Sequence, residues 1–174
     1  MKLITNLKKN LPVLLIASTL VLILVVFIGA KNNSRVNKPL DLESKPINLK
    51  EFKSSNLNFS IQIPSEFSAQ ERSNSVEISS SNGKLYIDRN GTNFENLKDY
   101  LDDLDRRNKT IIVKDESLVI NSYDSRIRLL EFSTGETQKE FVIFVDGIVY
   151  YLFTNDETLY NFLDQIAQSF RYTP

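Results

Sequence analysis

The segment FVIFVDGIVYYLFT, residues 141 to 154, constrains this chain more than any other. Asp146-Gly147 stands between two runs of β-branched and aromatic residues, the strongest short-range signal of a β-hairpin, because that dipeptide tolerates the positive φ of a tight turn. Both faces of the two runs are largely apolar, so the sheet that holds them must be covered on both sides. Whatever else the chain does, it must supply that cover.

Leu57, Phe59, Ile61 and Ile63 alternate with Asn58, Ser60 and Gln62, the period of a strand with one buried face, and Pro64 ends it. Shorter runs at residues 75 to 79 and 84 to 88 are joined across Asn82-Gly83 and predict a second hairpin. Strands are also predicted at residues 110 to 113, 117 to 120 and 126 to 133. Two helices complete the cover. The first opens at Thr92 and Glu95, spaced as a capping box, and carries Phe94, Leu97, Leu101 and Leu104 to about Arg107. The second runs from Asp156 to Phe170, capped by Asn155 or Asp156, with Leu159, Phe162, Leu163, Ile166 and Phe170 along one stripe. The class is α+β, one domain over residues 51 to 174.

Ahead of it, residues 11 to 30 read LPVLLIASTLVLILVVFIGA, without a charge. As a helix this run spans about 30 Å, the hydrocarbon thickness of a bilayer, and predicts a single transmembrane anchor. A cleaved signal peptide is the competing reading, but the run is longer than an ordinary h-region, and Ile28 stands where a small residue is preferred before a cut. Residues 1 to 10 form a short tail. Lysines and an arginine flank the span on both sides, so the charge rule is nearly balanced. A short tail before a long domain favours a signal anchor, placing the tail in the cytoplasm and the domain on the extracytoplasmic side of the cell membrane. Residues 31 to 50, polar and holding Pro39 and Pro46, read as a flexible linker with a mean span of about 25 Å.

The zeros exclude more chemistry than the averages do. With no Cys and no His in 174 residues, the chain has no disulfide, no thiolate nucleophile, no Cys/His zinc site and no Ser-His-Asp triad. Charge is divided: residues 1 to 50 carry a net +6 and the rest −7, making up the −1 of the whole. An acidic domain repels phosphate backbones, so no nucleic-acid partner is expected.

Four patterns could carry function. Asp99, Asp102, Asp103 and Asp105 cluster near the end of the first helix and could offer oxygens to calcium or manganese, although no loop wraps an ion there and Arg106 and Arg107 balance part of the charge. No cofactor is otherwise implied. Ser81-Asn82-Gly83-Lys84 has the spacing of a Ser nucleophile with a Lys base, against which Asn-Gly reads as a turn. Asp88-Arg89-Asn90-Gly91 looks like a fragment of a calcium loop without its closing acid, and reads as a loop before the first helix. Tyr150, Tyr151 and Tyr160, with Tyr123 and Tyr172, could form an aromatic interface, although most should be core or half-buried.

The opening strand NLNFSIQIPSEF with Pro64 and Phe67, the mid-chain helix, the aromatic hairpin and the closing LYNFLDQIAQSFRY with its Ser169 to Tyr172 motif together resemble the PsbP-like family. That family includes the extrinsic photosystem II subunit, bacterial relatives and a Ran-binding nuclear import factor. The likeness spans roughly Phe52 to Tyr172. It implies an antiparallel sheet sandwiched by helices and a role in docking on a larger partner, without catalysis. An anchor in place of a cleaved targeting peptide departs from the pattern, and the metal-binding His residues of the plant subunit have no counterpart here. The expectation is therefore a single-pass membrane protein whose domain binds a protein partner. The alternatives are a Ser/Lys hydrolase or a calcium or manganese sensor.

Overall fold

The computed structural model describes residues 48–108 and 110–174. The segments read as tail and anchor, and the segment read as linker up to residue 47, lie outside the described residues. No helix among the described residues is long and apolar enough to cross a membrane.

The chain runs β1 (Leu49–Ser54), β2 (Phe59–Pro64), β3 (Ser68–Glu71), β4 (Ser75–Ser79), β5 (Lys84–Gly91), α1 (Leu97–Arg107), β6 (Ile111–Ile120), β7 (Tyr123–Glu131), β8 (Thr137–Val145) and β9 (Ile148–Thr154). A 3-10 turn (Glu157–Leu159), α2 (Tyr160–Gln168) and β10 (Arg171–Tyr172) close it. Seven strands form one antiparallel sheet in the order β3-β4-β5-β9-β8-β7-β6, and β1-β2-β10 form a second of three.

The aromatic hairpin sits mid-sheet as read, with Val145 opposite Ile148 and both turn residues left-handed, Asp146 at φ 47° and Gly147 at φ 75°. Both of its faces are covered, by unequal means. Phe141, Ile143, Val145, Tyr150 and Leu152 join β2 and α2 in the large core, where Phe59, Phe170 and Tyr150 pack ring on ring, with centroids 4.9 to 5.9 Å apart. Burying a side chain of this kind contributes about 1.5–3 kcal/mol. The cover on this side is therefore α2 together with the small sheet, and not a helix alone. On the other face Val142 and Val149 meet Leu97 and Leu101 of α1 in a small second cluster, with the half-buried Tyr100, Leu104, Phe144 and Tyr151 packed against it.

Several elements differ from the sequence reading, each for a local reason. β1 begins at Leu49, two residues inside the segment read as linker; its alternation is hidden because it exposes most of its residues. The short strands β3 and β10 carry no apolar pattern of their own. Residues 110 to 113 and 117 to 120 are one strand, β6, interrupted by a bulge at Val113 where the register with β7 shifts. The turn from β6 to β7 uses Asn121 (φ 48°) and Ser122 (φ 76°), with no glycine. Asn121 is held there by its side-chain amide, which donates to the Phe170 carbonyl at 2.7 Å. Asp88 to Gly91 form the end of β5, paired with β9, and not a loop.

The first helix starts later than Thr92. Asn96 is its N-cap, accepting from the Asp99 amide at 2.9 Å and donating from its own side chain to the Asp99 carboxylate at 2.9 Å. Thr92 instead accepts from the Phe94 amide, and its own amide is held by the Gly147 carbonyl at 2.8 Å. Asp156 caps the closing helical segment, accepting from the Thr158 amide at 3.0 Å.

Candidate functional site

The strand register sets charged side chains in one row on the α1 face of the large sheet. Asp115 of β6 lies opposite Arg128 of β7, and Arg128 lies opposite Glu140 of β8. Residues opposite each other across an antiparallel pair point to the same face, so the three side chains meet. Arg128 is 1% exposed. One of its terminal nitrogens donates to Glu140 at 3.2 Å, the other to Asp105 of α1 at 2.6 Å, and Nε stands 3.8 Å from Asp115 without a hydrogen-bond acceptor. Asp115 is shared with Arg126 at 3.3 Å.

Asp105 reaches the row because of helix spacing. It follows Leu97 and Leu101 at intervals of four, and so continues the stripe that α1 turns to the sheet. Glu140 is fixed on its second oxygen by the Gln138 side-chain amide at 3.0 Å. Burial holds the Glu140 carboxyl above its ordinary value, outweighing the pull of Arg128. Beside it the Tyr151 hydroxyl donates to Tyr100 at 2.8 Å, and burial keeps the Tyr151 phenol protonated well above its usual range.

Along one side of α1 the sheet face opens into a cleft of about 300 Å³, floored by Arg128, Glu140 and Tyr151 and walled by Tyr100, Asp105 and Phe132. The cleft is net acidic, since Asp105 and Glu140 face one Arg128. Its groups hold hydrogen bonds and a buried charge, which suits binding.

At the margin of this face β6 is the last strand of the sheet and pairs only with β7. It is ten residues long, and Ile111, Ile112, Val113 and Val119 are 59%, 39%, 54% and 72% exposed. A long edge strand with apolar residues exposed at both ends, on either side of Lys114 to Ser117, presents unpaired backbone groups that an added strand can complete.

The four acidic residues of α1 are dispersed among separate partners. Asp99 belongs to the cap, Asp102 pairs with Lys98 at 2.5 Å, Asp103 with Arg106 and Arg107 at 3.0 and 2.9 Å, and Asp105 with Arg128. No group of three or more carboxylates among the described residues is arranged to hold a metal ion. Lys84 pairs with Glu77 at 2.7 Å, while the Ser81 hydroxyl donates to its neighbour Asn82, so the two do not form a nucleophile and base. Gly83 between them takes φ 155°, and a Cβ there would come within 2.4 Å of the Asp156 carboxylate, which would have to shift.

The three tyrosines do not share a surface. Tyr150 is fully buried and donates to the Leu57 carbonyl at 2.6 Å, which corrects the reading of it as an interface residue. Tyr151, one residue on, points to the opposite face as strand geometry requires. Tyr160 stands on α2, half-buried, with the Lys139 ammonium 5.4 Å from its ring centroid. Sequence reading missed Arg128 and Glu140, because RIRL alternates as an outward polar face would and QKE reads as the polar start of a strand. The available signal was Asp105, a carboxylate standing on an apolar helical stripe.

No family model matches this sequence, and no curated protein matches it. Among solved structures the chain is similar to the cyanobacterial PsbP protein CyanoP from Synechocystis sp., with TM-score 0.52 and 8% identity, over 72% of this chain and 93% of that one. A Pseudomonas aeruginosa protein of unknown function also matches, with TM-score 0.38 and 13% identity, over 64% of this chain and 86% of that one. At such identity the first likeness bears on fold alone, and the domain has the PsbP-like fold the sequence motifs pointed to.

Proposed function

We propose that this PsbP-like domain is a non-catalytic docking module, held at the extracytoplasmic face of the cell membrane by residues 11 to 30, that binds a protein partner along β6. The observation that carries the reading is the exposed apolar edge of that strand, with Val119 at 72% exposure and three consecutive β-branched residues at its start. The occupant is an extended, β-branched segment of another protein at the same membrane surface, adding one strand to the sheet. Charge argues against a second copy: antiparallel pairing that sets Lys114 against Glu116 also sets Asp115 against its own counterpart, and like charges directly opposite are destabilising. The linker's reach confines the partner to the neighbourhood of the bilayer. Absence of Cys and His from the sequence removes most catalytic chemistry that would compete with this reading.

A photo-reactive amino acid placed at Val119 of the full-length protein, in its native membrane, tests it. One recurrent protein should be captured there, cross-linked through one β-branched segment, with nothing captured from the exposed control position Glu66. Val119 kept as the probe with Ile112→Lys beside it should lose the capture. A second copy of the same chain as the captured species, or only abundant bystanders, overturns the reading.

A further inference from the structure

We propose that the turn between β4 and β5 is a site of spontaneous covalent modification, where Asn82 loses its side-chain amide by cyclising onto the Gly83 nitrogen. The inference stands apart from the docking reading, since β4 and β5 lie toward the edge of the large sheet away from β6.

An asparagine followed by glycine favours this reaction, because the attacking backbone nitrogen has no Cβ beside it to crowd the ring that forms. The step occurs twice in the sequence, at Asn82-Gly83 and at Asn90-Gly91, and the fold treats the two differently. Asn82 is exposed at a hairpin tip, outside the ladder that ends with Ser79 opposite Lys84. Hydrogen bonds pin the turn around the reacting atoms without tying them up. The Ser80 amide donates to the Gly83 carbonyl at 2.9 Å, and the Asn82 amide donates to the Ser80 hydroxyl at 3.1 Å. The Gly83 nitrogen and Asn82 Nδ2 have no acceptor among the described residues, while the Ser81 hydroxyl donates at 3.2 Å to Asn82 Oδ1, on the carbon that is attacked.

Asn90-Gly91 is also exposed, but it lies in β5, with Asn90 opposite Val149 and Gly91 opposite Ile148. Ring closure needs the peptide to rotate about the asparagine Cα–C bond out of the extended form, so reaction there waits for the ladder to open. Asn121, which precedes Ser122, is held through the nitrogen that would depart: its side-chain amide donates to the Phe170 and Gln168 carbonyls at 2.7 and 3.2 Å.

The step balances with water alone. The Gly83 nitrogen bonds to Asn82 Cγ, the Cγ–Nδ2 bond breaks, and Nδ2 leaves as ammonia with the proton lost from the Gly83 amide. Water then opens the cyclic imide at either carbonyl, giving aspartate or isoaspartate. Either product adds a negative charge close to the Asp156 carboxylate that lies against Gly83, and the isoaspartyl form also lengthens the main chain of the turn by a methylene.

The test ages the full-length protein in nanodiscs in warm, mildly alkaline buffer, with samples digested at mildly acidic pH and mapped by mass spectrometry. Asn82 should convert at least about tenfold faster than Asn90, with isoaspartate the larger product. In concentrated urea, where no ladder protects Asn90, the two should convert at similar rates. Asn82→Gln should abolish conversion at this turn without moving the melting temperature, because its longer side chain closes the wrong ring. Asn90 keeping pace with Asn82 in the folded protein, a gap between them that persists in urea, aspartate as the sole product, or conversion that continues at this turn in Asn82→Gln overturns the proposal.

Discussion

The two faces of the seven-stranded sheet are built on opposite plans. One is filled with side chains from β2, α2 and the hairpin that are at most a few per cent exposed and almost all apolar. The other has a cluster of four buried apolar residues, Leu97, Leu101, Val142 and Val149, with Leu130 apart from it, and then gives way to the row Asp115, Arg128, Glu140. The contrast follows from cover: α1 is eleven residues, about 16 Å, too short to span the sheet, and its last turn meets the polar row through Asp105. The filled face specifies the fold, and the thinly covered one has space left for function.

If that division is right, the largest loss of stability comes from the filled face. Phe59→Ala should cost about 4 kcal/mol, since its neighbours Tyr150 and Phe170 cannot close over the cavity, and urea unfolding of the full-length protein reads it. An effect below about 1 kcal/mol would break the comparison. Arg128→Ala comes next, at about 3 kcal/mol near neutral pH, because Glu140 is left buried and uncompensated. Arg128→Met with Glu140→Leu should recover most of that loss, which would show the row to be costly and therefore kept for something other than stability.

Smaller effects sharpen the contrast. Asn96→Ala should cost about 1 kcal/mol by removing the cap of α1, and should loosen the cleft face while leaving the exchange protection of β2 and β9 intact. The smallest effect is a slope with pH. Burial raises the Glu140 carboxyl above its ordinary 4.5, so its contribution is fully present below that pH and is lost as pH rises through the folded value. The melting temperature of the natural protein should therefore fall relative to Glu140→Gln as pH rises from about 4 toward neutrality, and a gap that widens on acidification would contradict the burial of this group.

The same division decides what could be read from sequence. Elements of the filled face announce themselves: Leu57 to Ile63 alternate, Asp146-Gly147 marks its turn, and the stripe from Leu159 to Phe170 marks α2 with its flanking turns. On the other face local patterns mislead. Thr92 and Glu95 imitate a capping box, while Asn96, four residues on, takes the cap through a reciprocal bond to Asp99 that no pairwise spacing singles out. Arg128 and Glu140 are separated by eleven residues, and only the β7-β8 register sets them side by side. Their strands look half-solvated, because Arg126 and Arg128 alternate with Ile127 and Leu129 and Glu140 ends a polar run, whether the charges meet water or each other. The site was therefore invisible to periodicity, whereas the fold was largely legible from it.

One feature of the small sheet bears on how the domain withstands force. β1, the first described strand, lies along β2 with Leu49 opposite Pro64 and Ser54 opposite Phe59, and β10 flanks the other side of β2. Tension arriving from the chain ahead of Leu49 is delivered to that ladder. Its inter-strand bonds run perpendicular to the strands, so a pull along β1 loads all six residue pairs together in shear, whereas a pull away from β2 opens them one at a time from Leu49. The direction of the tug, more than its size, decides whether the domain holds or begins to unzip.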